Sequence, residues 1–110
     1  VGCFGGIDTL WMVVMFAVPA VTAEDRRRYT QFRKMLLKDG FMMLQFSVYG
    51  RHCPSDENAK VHEKRVEWAL PPKGNVRIIS VTEKQYARMK TFYGKARRKT
   101  EEPPLQLSFF

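Results

Sequence analysis

The chain has 110 residues, 45% of them hydrophobic and 27% charged, which fits one globular domain and excludes a large multidomain protein. The 19 Lys and Arg residues exceed the 11 Asp and Glu residues, a balance that favours a polyanionic partner such as nucleic acid. Two cysteines, Cys3 and Cys53, are too few for a disulfide scaffold and favour a reducing, cytoplasmic setting.

The positive charge is concentrated in two segments. Residues 26–38 hold six basic side chains and residues 84–99 hold seven, and neither segment contains an acid. The rest of the chain therefore carries a net negative charge. This distribution predicts a surface divided into basic and acidic regions.

The first nine residues, with three glycines, are interpreted as a disordered extension that precedes the domain. The apolar run that follows is not a secretory signal in this interpretation, because Asp8 rather than a cation precedes it and Pro19 interrupts it. The run is also too short to span a bilayer.

The run from Leu10 to Pro19 predicts a buried strand, since it is short, rich in β-branched and aromatic residues, and stopped by a proline. Open α/β layers place their chemistry at the carboxyl end of a central strand. That end carries Ala17, whose methyl group has no catalytic chemistry.

A first helix is predicted between an N-cap at Thr22 and a C-terminal stop at Gly40. Tyr29, Phe32 and Leu36 form its apolar face. Because no acid lies within the basic stretch, no intrahelical ion pair is expected to neutralise it. The candidate phosphate contacts of this helix are Arg26, Arg27, Arg33, Lys34 and Lys38.

The segment Phe41–Tyr49 predicts a single second strand, followed by a turn over residues 50–54. Its polar alternates are Gln45, Ser47 and Tyr49. On so apolar a strand they indicate a sheet face that contacts a second subunit rather than water.

A second helix is predicted from a cap at Ser55 to about Leu70. His62 lies on its inner face and is interpreted as a packed, hydrogen-bonded histidine, because His52, Cys53 and His62 lack the paired spacing of a zinc site. The inner face comprises Ala59, His62, Val66, Ala69 and Leu70.

The remaining segments predict a third strand over Asn75–Thr82, a short helix or turn over residues 83–90, and a fourth strand over Thr91–Tyr93. Residues 95–104 are interpreted as a solvated basic and proline-rich linker. The linker supplies further candidate phosphate contacts at Lys95, Arg97, Arg98 and Lys99. The terminal segment 105–110 alternates and is expected to pair with a partner's sheet edge through Leu105, Leu107 and Phe109.

This order predicts an α+β, ferredoxin-like βαββαβ domain over residues 10–94, with an antiparallel sheet and two helices on one face. The other sheet face needs cover, and in a chain this small a second copy is the natural cover.

Three segments resemble the CRISPR-associated endonuclease Cas2 family, and the resemblance extends from about Trp11 to Phe110. They are Phe16-Ala17-Val18-Pro19, Leu36-Leu37-Lys38-Asp39-Gly40-Phe41 and Gln45-Phe46-Ser47-Val48-Tyr49. The resemblance looks nearest to members that accompany Cas9-type systems. The resemblance implies a homodimer whose C-terminal strand pairs across the subunits. It also implies a bridge between CRISPR integrase dimers in the spacer-acquisition complex, with double-stranded prespacer DNA laid across it.

The resemblance further implies a Mg²⁺-dependent endonuclease whose metal is held by an aspartate at the end of the first strand. Ala17 occupies that catalytic and metal-ligand position here. Mg²⁺ prefers hard oxygen ligands, and a methyl group neither ligates the ion nor activates a bound water. We therefore expect no Mg²⁺ at the usual site and no metal-dependent cleavage, whereas duplex binding through Lys and Arg is unaffected.

Two alternatives stay open. A stand-alone metal-dependent ribonuclease or a toxin-type RNase on the same fold would need another catalytic group, for which Ser47 and Tyr49 are the matching polar residues. An RNA-recognition module is disfavoured, because the central strands lack the aromatic signature for base stacking.

Overall fold

A computed structural model describes residues 9–104 of the chain. The predictions for Cys3, for the rest of the N-terminal extension up to residue 8, and for Leu105, Leu107 and Phe109 fall outside these residues. In chain order the elements are β1 (Leu10–Ala17), α1 (Ala23–Lys38), β2 (Met42–Gln45), β3 (Val48–Cys53), α2 (Asp56–Trp68), β4 (Asn75–Thr82), α3 (Glu83–Ala87), β5 (Thr91–Tyr93) and β6 (Ala96–Arg98).

The main sheet has four strands in the order β2-β3-β1-β4, and every neighbouring pair is antiparallel. Together with α1 and α2, these strands confirm the predicted α+β, ferredoxin-like fold. Within the described residues, no helix combines the length and the hydropathy that crossing a membrane requires.

The hydrophobic core lies between the sheet and the two long helices. Met12, Val14 and Phe16 of β1 are buried in one cluster with Phe32 and Leu36 of α1. Because successive side chains of a strand point to opposite faces, the alternate residues of β1 lie on the face away from the helices.

The segment predicted as one strand is a β-hairpin. Gln45 pairs with Val48, which leaves Phe46 and Ser47 as a two-residue loop. Ser47 has a φ of 63°, the left-handed conformation that reverses the chain. The prediction was wrong because the loop contains neither Gly nor Asn and continues the apolar alternation. The predicted turn over 50–54 was also wrong, since β3 extends to Cys53.

The hairpin changes the surroundings of Tyr49. This side chain is fully buried, and its ring stacks on Phe16 with the two centroids 5.8 Å apart. The prediction that Tyr49 shares a subunit-facing surface with Gln45 and Ser47 is therefore wrong, because its ring belongs to the core of a single chain.

Local sequence determines where both long helices begin. Thr22 Oγ1 accepts from the Asp25 N–H at 3.0 Å, and the Asp25 carboxylate accepts from the Thr22 N–H at 3.2 Å. This capping box confirms the predicted start of α1. The Ser55 hydroxyl caps α2 as predicted, but the helix ends at Trp68 and leaves Leu70 exposed.

The C-terminal part of the described chain forms a second, two-stranded sheet. The predicted strand Thr91–Tyr93 pairs with β6 rather than with the main sheet. The stretch interpreted as a linker therefore contains a strand, which the left-handed Gly94 allows by turning the chain at φ 63°. Two hydrogen bonds join the following residues to α3 and to the turn after it: Tyr86 Oη donates to Glu101 Oε1 at 2.9 Å, and Thr100 Oγ1 donates to the Met89 carbonyl at 2.7 Å.

Candidate nucleic-acid interface

Ala17 is the last residue of β1 and is exposed. It lies opposite Asn75 of β4 in the sheet register. The preceding residue, Phe16, donates its N–H to the Ser47 carbonyl at 3.0 Å. The end of β1 is therefore held between β4 and the β2–β3 loop by main-chain contacts that do not depend on the Ala17 side chain.

Gly74 packs directly against this strand end. A Cβ at residue 74 would lie 2.4 Å from the Ala17 carbonyl oxygen, and the backbone there has a φ of +90°. Only glycine accepts both conditions without strain. Beside this contact, an open cleft of about 610 Å³ is lined by residues that include Ala17, Ser47, Tyr29 and Phe46.

The residues around Ala17 do not fit a Mg²⁺ ion. None of the residues that line the cleft carries a carboxylate. The acids that follow in sequence have other partners: Glu24 binds two arginines, and Asp25 caps α1. In the described part of the chain, no three His, Cys, Asp or Glu side chains gather as a ligand set. A Mg²⁺ ion is typically held by one or two protein carboxylates, and this strand end supplies none.

Two arginines of α1 share one acidic partner within the helix. Glu24 Oε2 lies 2.6 Å from Arg27 Nη2 and 2.7 Å from Arg28 Nε. The expectation that α1 lacks such pairs is therefore wrong, because Glu24 stands three and four residues before these cations. Hydrogen bonds from Arg27 and Arg28 lower the pKa of the Glu24 carboxyl, so this acid stays ionised at neutral pH.

The other predicted contacts of α1 keep their charge available. Arg26 Nη1 donates to the Val21 carbonyl at 3.0 Å, a contact that orients the guanidinium without neutralising it. Arg33, Lys34 and Lys38 form no ion pair with any residue between 9 and 104. Lys34 and Lys38 are exposed and four residues apart, so they lie on one side of the helix.

The β5–β6 hairpin presents a second group of cations. Lys95, Arg97 and Arg98 are exposed, and the Arg98 guanidinium carbon lies 4.4 Å from the centroid of the Tyr93 ring. Lys99 is engaged differently, because its Nζ lies 2.6 Å from Glu102 Oε2, and this hydrogen bond raises the pKa of Lys99. Lys95 and Arg97 have no acidic partner in the part of the chain that the structure describes.

His62 is the buried, hydrogen-bonded histidine that the sequence predicts. Its Nδ1 lies 2.7 Å from Asp39 Oδ2, and the other carboxylate oxygen lies 2.7 Å from Arg65 Nη1. Cys53 is also buried, and desolvation raises the pKa of its thiol. Sequence analysis missed Asp39 as the group that joins α1 to α2, since the three residues are far apart in the chain.

The sheet face opposite α1 and α2 is apolar, and part of it is open, while Tyr86 of α3 covers Trp11 there. Val13, Met15, Val48 and Ile79 line a groove of about 390 Å³ there, together with the predicted interface residue Gln45. The signal for this face was present in the sequence, because Val13 and Met15 alternate with the core residues of β1.

Comparison with known proteins gives a consistent result over most of the chain. The family model described as CRISPR associated protein Cas2 matches residues 10–89. The chain is 46% identical over 101 residues to the CRISPR-associated endoribonuclease Cas2 of Parvibaculum lavamentivorans, covering 92% of this chain and 100% of that protein. It is 45% identical over 102 residues to the protein of the same name from Flavobacterium psychrophilum, covering 93% and 89%. It is 43% identical over 105 residues to the protein of the same name from Paracidovorax avenae, covering 96% of this chain and 97% of that protein.

Proposed function

The chain belongs to the CRISPR-associated protein Cas2 family, and from that premise we propose that it is a structural, duplex-DNA-binding subunit of the CRISPR adaptation complex. In this proposal a cytoplasmic homodimer bridges CRISPR integrase subunits and holds the double-stranded prespacer between them.

The observation that carries the proposal is the set of cations without an acidic partner. Arg33, Lys34 and Lys38 on α1 and Lys95 and Arg97 on the hairpin have none among the residues described. Such cations bind phosphates by displacing condensed counterions, which requires no particular base sequence. A dimer doubles the number of these contacts.

Metal-dependent cleavage is absent from this proposed function. The cleft beside Ala17 contains no carboxylate, and identical subunits lose the ligand on both sides at once. Without oxygen ligands the protein neither retains the divalent ion nor lowers the pKa of a bound water.

An endoribonuclease is the second candidate function, because the relatives carry that name. Of the two polar groups that the sequence offered for it, Tyr49 is fully buried, and Ser47 lines the cleft beside Ala17. Incubation of RNA with Mg²⁺ or with EDTA separates the two functions. Metal-dependent cutting of RNA by the unmodified chain would favour the enzyme.

A salt titration tests the DNA-binding function. If about four phosphates are neutralised per protomer, the logarithm of duplex affinity should fall against the logarithm of salt concentration with a slope near −7 for the dimer. Fluorescence anisotropy with a blunt DNA duplex gives this slope. A slope shallower than about −2 would contradict the proposal.

Two variants test whether Lys34 and Lys38 contribute to the slope of the salt titration. The double substitution Lys34→Ala and Lys38→Ala should flatten the slope by about 3 to 4 if each lysine contacts one phosphate per protomer. Lys60→Ala is the matched control, since Lys60 Nζ already lies 3.3 Å from Asp56 Oδ2. Its slope should equal that of the unmodified protein.

A further inference from the structure

Phe46 is exposed in a way that the fold does not require. It lies at the tip of the β2–β3 loop, and 76% of its surface is open to solvent. One face of the ring stacks on Tyr29, with the centroids 5.9 Å apart and the planes 19° apart. The other face is therefore an uncovered aromatic surface, which is unfavourable in water unless a ligand uses it.

The Phe46 ring is held in a fixed orientation by the aromatic side chains on which it packs. Tyr29 packs on Phe16 of the core, with centroids 5.7 Å apart, so the Phe46 ring rests on a column of aromatic side chains. The left-handed Ser47 confines the loop to two residues. A surface that is already ordered loses little entropy when a flat ligand stacks on it.

Two cations flank Tyr29, the residue on which this ring stacks, along α1. Arg26 and Arg33 stand three residues before and four residues after Tyr29, so helical geometry places them on the same side of α1. Arg33 has no ion pair within the described range. An aromatic face next to unpaired cations is the arrangement that single-stranded nucleic acids recognise, because every base has a flat π surface and a neighbouring phosphate.

We propose that Phe46 is a stacking platform for an unpaired nucleobase at the end of a bound DNA duplex, with Arg26 and Arg33 contacting the adjacent phosphates. The inference rests on the proposed function, since the duplex brings the base to the ring. Inside a duplex both faces of a base are covered by its neighbours, so the platform selects unpaired bases. The cleft next to the ring is lined in part by Ala17, which has only a methyl side chain, and by Gly74, which has none. The flanking arginines favour a polyanion over the apolar surface of a second protein copy as the occupant.

The test compares a blunt duplex with the same duplex carrying four unpaired nucleotides at each end, in both strand polarities. A 2-aminopurine at the first unpaired position reports stacking by loss of its fluorescence. The unmodified protein should bind the frayed duplex about tenfold more tightly than the blunt one and should quench the probe. Phe46→Ala should lose both effects and keep its affinity for the blunt duplex, whereas Phe46→Trp should retain both.

Trp68→Ala is the matched control, because Trp68 is 84% exposed on α2 and has no ring stacked on it in the described structure. This control should behave like the unmodified protein. Unchanged preference and quenching in Phe46→Ala would overturn the inference. So would a shift of Phe46→Ala toward monomer in sedimentation, since the ring would then be a contact between subunits.

The two proposals fail in different ways. If the unmodified protein binds the blunt duplex but gains nothing from unpaired bases, only the stacking inference is wrong. If it binds neither duplex, the proposed function is wrong, and the stacking site that depends on it is wrong too.

Discussion

The position of Ala17 is fixed by backbone contacts rather than by its side chain. The strand end is positioned by its register opposite Asn75, by the hydrogen bond from Phe16 to Ser47 and by close packing on Gly74. None of these contacts uses the side chain of residue 17. A different side chain is therefore expected to occupy this position without rebuilding the cleft.

Substitution Ala17→Asp should give the protein Mg²⁺-dependent cleavage of RNA or duplex DNA. Residue 17 is exposed, so the carboxylate is accommodated, and the dimer would supply two of them. We expect the cleavage rate with Mg²⁺ to rise about tenfold or more above that of the unmodified protein, measured on labelled substrates.

Ala20→Asp is the control for this experiment. Ala20 is exposed and lines the same cleft, so the variant adds equal charge away from the strand end. It should remain inactive. A folded, dimeric Ala17→Asp protein with no more activity than Ala20→Asp would show that a missing carboxylate is not what limits cleavage.

At the scale of single residues, sequence patterns predicted burial better than they predicted partners. His62 lies on the apolar stripe of α2 and is buried as expected. Its partner Asp39 was not foreseen, because the hydrogen bond joins residues 23 apart in the chain. Tyr49 was assigned to the wrong face because the turn before it was not recognised.

One buried carboxylate links the C-terminal end of α1 to α2. Asp39 follows the last turn of α1, and its side chain is only 8% exposed. It accepts hydrogen bonds from His62 Nδ1 and Arg65 Nη1 of α2, each at 2.7 Å. A buried acceptor of this kind is costly to remove, since the buried His62 would lose its partner inside the protein.

Asp39→Asn should lower the free energy of unfolding by about 2–4 kcal/mol, measured by urea denaturation at neutral pH. Asparagine has a similar shape but loses the charge and one of the two acceptor oxygens. Lys60→Ala breaks an ion pair whose side chains are both exposed and should change stability by less than about 0.5 kcal/mol. Equal stability of the two variants would show that Asp39 does not hold the helices together.

At the scale of elements, the sequence predicts best where the signal is local. The capping residues Thr22 and Ser55 begin α1 and α2 as expected, because a cap bonds to the backbone three residues away. The β2–β3 hairpin was missed because its turn uses Phe46 and Ser47 instead of glycine or asparagine. The pairing of β5 with β6 was missed because a three-residue strand of mostly basic residues shows no alternation of apolar and polar side chains.

The main sheet of the molecule has one face covered by α1 and α2 and a second face that α3 covers only in part. The helices cover one side, and the opposite side presents an apolar groove lined by Val13, Met15, Val48 and Ile79. An apolar face of this kind on a small domain favours association with a second copy. This is the face on which we propose that the dimer forms.

Ile79→Glu should weaken the dimer at least tenfold, or about 1.4 kcal/mol, in analytical ultracentrifugation. Ile79 is 49% exposed on the open face, so a charge there would be buried by the partner. Val61→Glu is a closely matched control, because Val61 is 48% exposed on α2 instead. If both variants dimerise like the unmodified protein, the open face is not the interface.

The position of β1 in the sheet has a consequence for how the protein is made. Of the strands that the structure describes, β1 leaves the ribosome before the others, yet it ends between β3 and β4, so Leu10 pairs with both Cys53 and Thr82. The helices and the β2–β3 hairpin depend on local contacts and form early, whereas β1 keeps one unpaired edge until β4 has been synthesised. A ribosome that stalls before β4 would release a chain with an apolar strand open to aggregation. Because Ala17 is opposite Asn75 in that last pairing, the cleft is completed only when the whole domain has folded.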